Sequence, residues 1–335
     1  MAQRIFSGAQ PTGTLHIGNY FGAIQNWVTL QAEHECIYCV VDYHAITVEV
    51  DPQVLHTASC AMALDLMACG IDPERSILFR QSSVPEHAEL AWILGCLTSY
   101  GDLARMTQFK DKSEGKQFVS AGLFNYPVLQ AADILLYRAD GVPVGEDQLQ
   151  HLELSRRIAR RFNARFGELF PEPEPIVGKG ARIMSLADPT RKMSKSDGEP
   201  HYIGVMEDEA SIRKKIRSAV TDMGLSPGEA MSAGVAALFE ILELAMMLTN
   251  DQTTAKDLRT KFQAGELLYS HLKDVVFEQL MKVLRPIQKR RAKLEASGEV
   301  EAILAQGAKK ARLIARETMI AVRKMVGLNE AASPI

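Results

Sequence analysis

Lys192-Met193-Ser194-Lys195-Ser196 places two ammonium groups three residues apart, with two hydroxyls beside them and Gly198 close behind. Such a loop can wrap a chain of phosphates, offering point charges and hydroxyl donors to the oxygens. Far upstream, Ser7-Gly-Ala-Gln-Pro-Thr-Gly13 runs into His16-Ile-Gly-Asn-Tyr20. Gly8 and Gly13 allow dihedrals that other residues resist, and Gly18 leaves room for something to approach a helix N-terminus. Exposed N–H groups at such an end attract phosphate or carboxylate. Alone, the lysine string reads as a solvated surface turn and the upstream string as either a phosphate cradle or an ordinary strand-to-helix loop, but chance rarely supplies both. A third feature is Asp133, a carboxylate that interrupts the apolar residues Ala131, Ala132, Ile134, Leu135 and Leu136. Kept inside, it must have a partner. His16 and His44 lack ligand spacing with cysteines or carboxylates, so they read as hydrogen-bonding histidines rather than metal ligands.

The elements that must position these residues follow from periodicity. Ile5-Phe6 reads as a strand. Ile17, Tyr20, Phe21, Ile24, Trp27 and Val28 then form one helical face. Cys36 to Asp42 is a nearly unbroken apolar run, suited to the middle of a parallel sheet. Asp51-Pro52 caps a helix that stops near Gly70, Ser76 to Arg80 is a third strand, and Pro85 opens another helix. The polar stretch from Tyr100 to Gly122, with Lys110, Lys112, Glu114, Gly115 and Lys116, reads as an inserted connection. Helical pattern resumes near Pro127. Gly141 to Gly145 is a short strand, Glu146-Asp147-Gln148 opens a helix to about Phe166, and Pro171-Glu-Pro-Glu-Pro175 reads as a stiff spacer. Ile183 to Leu186 reads as the last strand of the sheet, which puts the lysine loop just past a strand end, where nucleotides bind in α/β folds. Helices are expected over 207–220, 236–249, 252–263, 266–296 (with a bend at Pro286) and 299–326. The fold class is therefore α/β, with a doubly wound, Rossmann-like parallel sheet followed by an all-helical domain.

Composition sets limits on this reading. The 335 residues are 47% hydrophobic and 24% charged, which describes a soluble protein large enough for two domains. The sequence contains no apolar run of eighteen residues, which argues against a membrane span. The absence of a basic or hydrophobic leader points to the cytoplasm. Five cysteines in such a chain argue against a disulfide framework, and Cys36 and Cys39 read as core thiols. The net charge of −3 divides into −9 over residues 1–150 and +6 over the rest, a weak pointer to a polyanionic partner.

His16 to Asn19 and Lys192 to Ser196 resemble the HIGH and KMSKS motifs of class I aminoacyl-tRNA synthetases. The likeness runs over nearly the whole chain and is nearest to the bacterial tryptophanyl type. It is carried also by Phe6 to Gly13, Asp42 to Thr47, Tyr126 to Tyr137 with Asp133, and Pro143 to Gln148. The resemblance implies a catalytic domain over residues 1–190, with an inserted helical, dimerising segment at about 100–140. Residues 191–335 would then hold the KMSKS loop and a helical anticodon-binding domain. It further implies ATP-dependent formation of tryptophanyl-adenylate and transfer of tryptophan to tRNA(Trp), with Mg²⁺ accompanying the nucleotide and a homodimer as the assembly.

By the same resemblance, ATP would meet Gln10, Pro11, Thr12, Gly18 and Asn19. Gly145, Glu146 and Asp147 are also implicated, with Ile183 beside adenine. Lys192, Met193, Ser194, Lys195 and Ser196 would surround the phosphates, the two lysines acting catalytically. Asp133 would accept the indole N–H of tryptophan. Phe6, Gly8, His44 and Tyr126 would line its pocket, with Val142, Val144 and Gln148. Asn19 stands where the general class motif has a second histidine, and Gln130 where this type often has methionine. Lys309, Lys310, Arg312, Arg316 and Arg323 are the implied tRNA-facing cations, while Arg156 to Arg165 read as a solvated helix face. The alternatives are a tyrosyl enzyme, a noncatalytic tRNA-binding paralogue, and an adenylyl-transferring enzyme of small metabolites.

Overall fold

Among the described residues five short strands build the sheet: β1 (Arg4–Ala9), β2 (Glu35–Val40), β3 (Ile77–Arg80), β4 (Gly141–Pro143) and β5 (Glu174–Ile176). The computed structural model describes residues 2–109, 118–177, 182–222, 230–251 and 253–328. The expected loop residues Lys110, Lys112, Glu114, Gly115 and Lys116 lie outside the described residues. All strands are parallel, in the order β3-β2-β1-β4-β5. Cys36 through Val40 are buried, as befits a strand covered on both faces. The chain winds from β1 outward to β3 and then returns to β4 on the other side of β1. The topological switch therefore lies between β1 and β4, and the loops after these two strands open on one edge.

Two expectations about strands are corrected. The proline-rich segment 171–175 is not merely a spacer, because Val142 pairs with Pro175 in β5. An edge strand tolerates proline, whose missing N–H need not face a neighbour. Ile183 to Leu186 does not join the sheet. Met184 instead bridges antiparallel to Lys192, and the N–H of Met193 donates to the carbonyl of Ile183 at 2.9 Å. The turn is made at Asp188, whose carboxylate accepts the Thr190 N–H at 3.1 Å.

The helices follow their capping signals. The first, α1, runs through Ile17–Asn19, a π-helical turn at Tyr20–Ile24 and Gln25–Leu30. Next come α2 (Asp42–Ala45), α3 (Pro52–Ala68), α4 (Glu86–Gly95) and α5 (Tyr100–Ala104). Then α6 (Ala121–Leu135) begins six residues ahead of Pro127, because Ser120 caps the Leu123 N–H at 3.0 Å. After α7 (Leu149–Phe166) the helical region holds α8 (Glu209–Ser218), α9 (Ala233–Thr249), α10 (Thr254–Gln263) and α11 (Tyr269–Ser297). Pro286 lies inside α11. The last helix is α12 (Val300–Val326). Among the described residues no helix is long and apolar enough to cross a membrane.

Packing groups the chain into two units, Met1–Gly13 with Trp27–Gly178 and Ser297–Ile335, and Thr14–Asn26 with Lys179–Ala296. This differs from a single boundary after residue 190. In particular, α12 belongs to the sheet unit. Its Ala308, Ala311, Ala315, Met319 and Val322 enter the core cluster that holds Ile37 and Phe79. At Gly307 the helix lies so close to β3 that a Cβ would fall 1.8 Å from the Leu78 carbonyl oxygen. Arg312 pairs with Glu86 at 3.0 Å and Arg323 with Glu89 at 2.5 Å, both acids on α4. These ion pairs hold Arg312 and Arg323 against α4 within the same unit. Lys309 and Lys310 are exposed.

Candidate functional site

In the sheet unit the predicted residues gather at the carboxyl ends of the strands. Gln10, after β1, donates from Nε2 to the His44 carbonyl at 3.0 Å, and the Thr12 N–H returns to the Gln10 carbonyl at 2.8 Å. Gly8 keeps ordinary strand geometry, and its role is close approach, since a Cβ there would meet Val41 Cγ1 at 2.8 Å. After β4, Val144 donates its N–H to Ile176 and Gly145 accepts from the Gln148 N–H at 3.0 Å. Glu146, Asp147 and Gln148 form a 3₁₀ turn, and Asp147 Oδ2 accepts from Gln148 Nε2 at 3.0 Å. Gln130 Nε2 donates weakly to Gln148 Oε1 at 3.5 Å, tying the two amides together. Pro11 is buried, and Phe6 and Val142 belong to the core cluster.

Asp133, on α6, is only 2% exposed. His44 Nε2 donates to its Oδ2 at 2.7 Å; Gln81 Nε2 and His87 Nδ1 both donate to Oδ1 at 2.6 Å. Burial alone would raise its pKa. The two histidines, His44 first, outweigh burial and hold the carboxyl below the usual carboxylate range. His87 Nε2 lies 2.7 Å from the Tyr137 hydroxyl, and Phe6 stacks on Tyr137 with centroids 5.4 Å apart. Burial pushes the Tyr137 phenol well up, so it stays protonated. Tyr126 donates to Gln108 at 3.2 Å and lies 2.7 Å from His151 Nε2; its own phenol is pushed up to about 12 by burial.

Sequence reasoning finds Asp133 and His44 but misses Gln81, His87 and Tyr137. The demand of a buried carboxylate for donors is legible, but the donors' identities are not. Gln81 starts the 3₁₀ turn after β3 and His87 lies in the first turn of α4, where nothing in the local pattern sets either apart.

In the other unit His16 precedes α1 as its N-cap, its backbone N–H donating to Asn19 Oδ1 at 3.3 Å. Leu15 and Ile17 bond the backbone of Val205 and Ile203 at 2.8 and 2.9 Å. The His16 ring is buried, its Nδ1 has no hydrogen-bond partner among the described residues, and a Cβ on Gly18 would strike it at 2.9 Å. Desolvation first, then Lys195 and Lys192, bring its pKa down to about 4. The charges of Lys195 and Lys192 thus act on His16. Met193 is 2% exposed and anchors the loop between its two lysines. Ser194 caps a short turn, Lys195–Asp197, by accepting the Ser196 N–H at 3.2 Å. Lys192 is exposed, whereas Lys195 is half-buried, and that burial lowers its pKa. Arg191 pairs with Asp197 across the same loop at 2.5 Å.

Other chemistry-bearing groups are accounted for structurally. His56 and Cys60, one turn apart on α3, approach Glu301 with donor atoms within 4.8 Å of one another. Arg80 already supplies the positive charge there, at 2.9 Å from Glu301 and 3.2 Å from Cys60 Sγ. Burial and Glu301 push the Cys60 thiol up to about 11, which keeps it neutral. Cys36 and Cys39 are buried as expected, as is Cys69, for which the sequence sets no expectation; Cys96 is exposed and Cys60 only partly covered. The arginine-rich face of α7 is solvated as well as ion-paired. Arg157 and Arg161 reach the buried Asp102 at 3.1 and 2.9 Å, and Arg160 reaches Glu172 at 2.7 Å. A cavity of about 430 Å³ beside Met246, Met247 and Asn250 contains none of the predicted site residues.

The family of class I tRNA synthetases (W and Y) matches residues 2–285. The tryptophan–tRNA ligase of Helicobacter pylori is 47% identical over 330 residues, covering 97% of this chain and 99% of the relative. Among solved structures, tryptophanyl-tRNA synthetase from Campylobacter jejuni, complexed with ADP and tryptophan, matches at 36% identity and TM-score 0.85. That match covers 97% of this chain and 100% of the other. The enzyme from Mycoplasma pneumoniae matches at 34% identity and TM-score 0.88, covering 98% and 99%.

Proposed function

The chain belongs to the class I tRNA synthetases of the tryptophan and tyrosine type, and on that footing we propose that it attaches L-tryptophan to tRNA(Trp) in two ATP-dependent steps. The observation that carries tryptophan as the amino acid is the buried, ionised carboxylate of Asp133. An ionised carboxylate offers about four acceptor positions, and the protein fills three. An indole N–H satisfies the fourth. Phenylalanine cannot, and a site built around a polar contact rejects such an analogue by roughly 10⁴–10⁵-fold. Tyrosine carries a donor, so the packing of Phe6, Val142 and Tyr126 must help to exclude it.

In the first step the tryptophan carboxylate attacks the α-phosphate of ATP, forming the adenylate and expelling pyrophosphate. The nucleophile is already ionised, so the chemistry needs positioning and charge stabilisation rather than a general base. Lys192 and Lys195 meet the charge that develops on pyrophosphate, while Ser194, Ser196 and the backbone around Met193 hold its oxygens. His16, neutral at pH 7, leaves Gly18 and Asn19 to approach phosphate without a competing cation. Gln10, Pro11, Thr12, Gly145, Glu146 and Asp147 contact the nucleotide from the strand-end loops, and Ile183 borders the adenine. Mg²⁺ enters with the triphosphate. Asp197 and Glu207 are paired with Arg191 and Lys215, so neither is a dedicated ligand for it. In the second step the ribose 2′-hydroxyl of the tRNA terminal adenosine attacks the adenylate carbonyl. The helical residues after 191 take the anticodon end of the tRNA. The working form is a cytoplasmic homodimer joined through the segment at about 100–140.

Amino-acid-dependent exchange of pyrophosphate into ATP tests the reading. Exchange with tryptophan, and charging of tRNA(Trp), is the expected result. Exchange with tyrosine alone would replace it by the tyrosyl reading, and no exchange with any amino acid would leave a noncatalytic paralogue.

A further inference from the structure

The carboxylate of Asp133 is the end of a chain of hydrogen bonds whose directions follow from what a carboxylate can accept. An ionised carboxylate can only accept, so His44, Gln81 and His87 are all donors to it. His87 therefore carries its proton on Nδ1. In the neutral imidazole its Nε2, 2.7 Å from the Tyr137 hydroxyl, then accepts from the phenol. The amide of Gln81 is likewise fixed, because its Oε1 accepts the Tyr43 N–H at 3.1 Å and so turns Nε2 toward Asp133. Gln81, His87 and Tyr137 are all fully buried, so water does not compete for these bonds.

The two oxygens of Asp133 are consequently unequal. Oδ1 takes two donors and is saturated; Oδ2 takes one, from His44, and retains an acceptor position. We infer that Gln81 and His87, the latter with its ring held by Tyr137, are positioning residues that hold Asp133 in one orientation and confine its open acceptor site to Oδ2. The inference rests on the reading of Asp133 as the indole acceptor and adds the residues that make it selective for a single ring N–H. Without the Tyr137 hydroxyl, the carboxylate still keeps the proton on Nδ1, but the buried Nε2 loses its partner. The ring is then less firmly held, and the carboxylate it supports loses its fixed orientation.

The test compares L-tryptophan with the benzothiophene analogue of its side chain, which has sulfur in place of the N–H. Pyrophosphate exchange is measured for the wild type, Tyr137→Phe, His87→Leu and His87→Asn. Tyr137→Phe and His87→Leu are expected to lower kcat/KM for tryptophan by roughly 10- to 100-fold, the scale of one hydrogen bond to a charged group. They should leave the analogue and the KM for ATP nearly unchanged. His87→Asn, which keeps a donor near the Nδ1 position, should recover most of the tryptophan rate. Equal losses with both amino acids, or an unchanged tryptophan preference in Tyr137→Phe, overturn the positioning role. If His87→Leu does not fold, Tyr137→Phe by itself decides between the two outcomes. Failure of the substrate reading is seen separately, as a wild type that does not prefer tryptophan over the analogue.

Discussion

His16 offers a test of the phosphate end of the site that needs no substrate. Its ring is buried, and desolvation, followed by the charges of Lys195 and Lys192, lowers its pKa from 6.5 to about 4. In the unfolded chain the same imidazole takes a proton near pH 6.5. Between these values the unfolded state binds the proton and the folded state does not. The contribution is therefore complete above the unfolded pKa and is lost as pH falls towards the folded one. The full shift corresponds to about 3 kcal/mol at 1.36 kcal/mol per unit. Between pH 7 and pH 5 the part lost is about 2 kcal/mol.

His16→Asn removes the titrating ring while keeping a small polar side chain. Urea unfolding of both proteins at these two pH values isolates the term, since every other group titrates alike in each. The wild type should lose about 2 kcal/mol more than the variant on acidification. Nitrogen-15 spectra of labelled histidine should show the ring neutral at pH 5. Raising the ionic strength screens the two ammonium groups but not the burial, so it should raise the pKa only in part. Identical acid sensitivity in the two proteins, or a ring that titrates near 6.5, would refute this account of the ring. It would also remove the reason for expecting a neutral His16 beside phosphate.

Three further outcomes follow from the geometry. Asp133→Ala should depress tryptophan use far more than ATP use in pyrophosphate exchange, and equal losses for the two substrates would defeat its assignment. Lys195→Ala should slow exchange by about 10²- to 10³-fold, as for loss of one preorganised donor, while calorimetry finds tryptophan binding intact; a parallel loss of binding would mean the lysine is structural. Gly307→Ala places a carbon 1.8 Å from the Leu78 oxygen, so α12 must move off β3. Overpacking of this kind costs about 1–3 kcal/mol, and an unchanged urea midpoint would show that the helix does not bear on the strand.

What can be read in the sequence depends on whether the signal is local. The helices of the second unit carry a 3.6-residue period and their own caps, Asp208 and Ser232, and they appear within a few residues of expectation. β5 escapes notice because its prolines resemble a spacer, and only the position at the sheet edge makes them tolerable. Ile183 to Leu186 is misleading because four apolar residues fit a hairpin arm as well as a sheet strand. The placement of α12 is hidden for a different reason. Small residues such as Gly307 and Ala311 say that something comes close, but the partner, β3, lies more than 200 residues earlier in the chain.

The same distinction explains the candidate site and bears on why it exists. Asp133 is visible because a carboxylate in an apolar run is conspicuous, whereas His87 and Gln81 lie 46 and 52 residues away and look ordinary where they stand. Each supplies half of a bond whose other half is elsewhere. Stability alone gives no reason to build such a cluster, since well-packed apolar side chains would serve as well or better than a buried, paired charge. Here one carboxylate draws donors from α2, from the turn after β3 and from α4, and a phenol is committed to orient one of those donors. An arrangement that costs desolvation at five side chains, and still leaves one oxygen of the carboxylate with acceptor capacity, is explained by what that oxygen can bind.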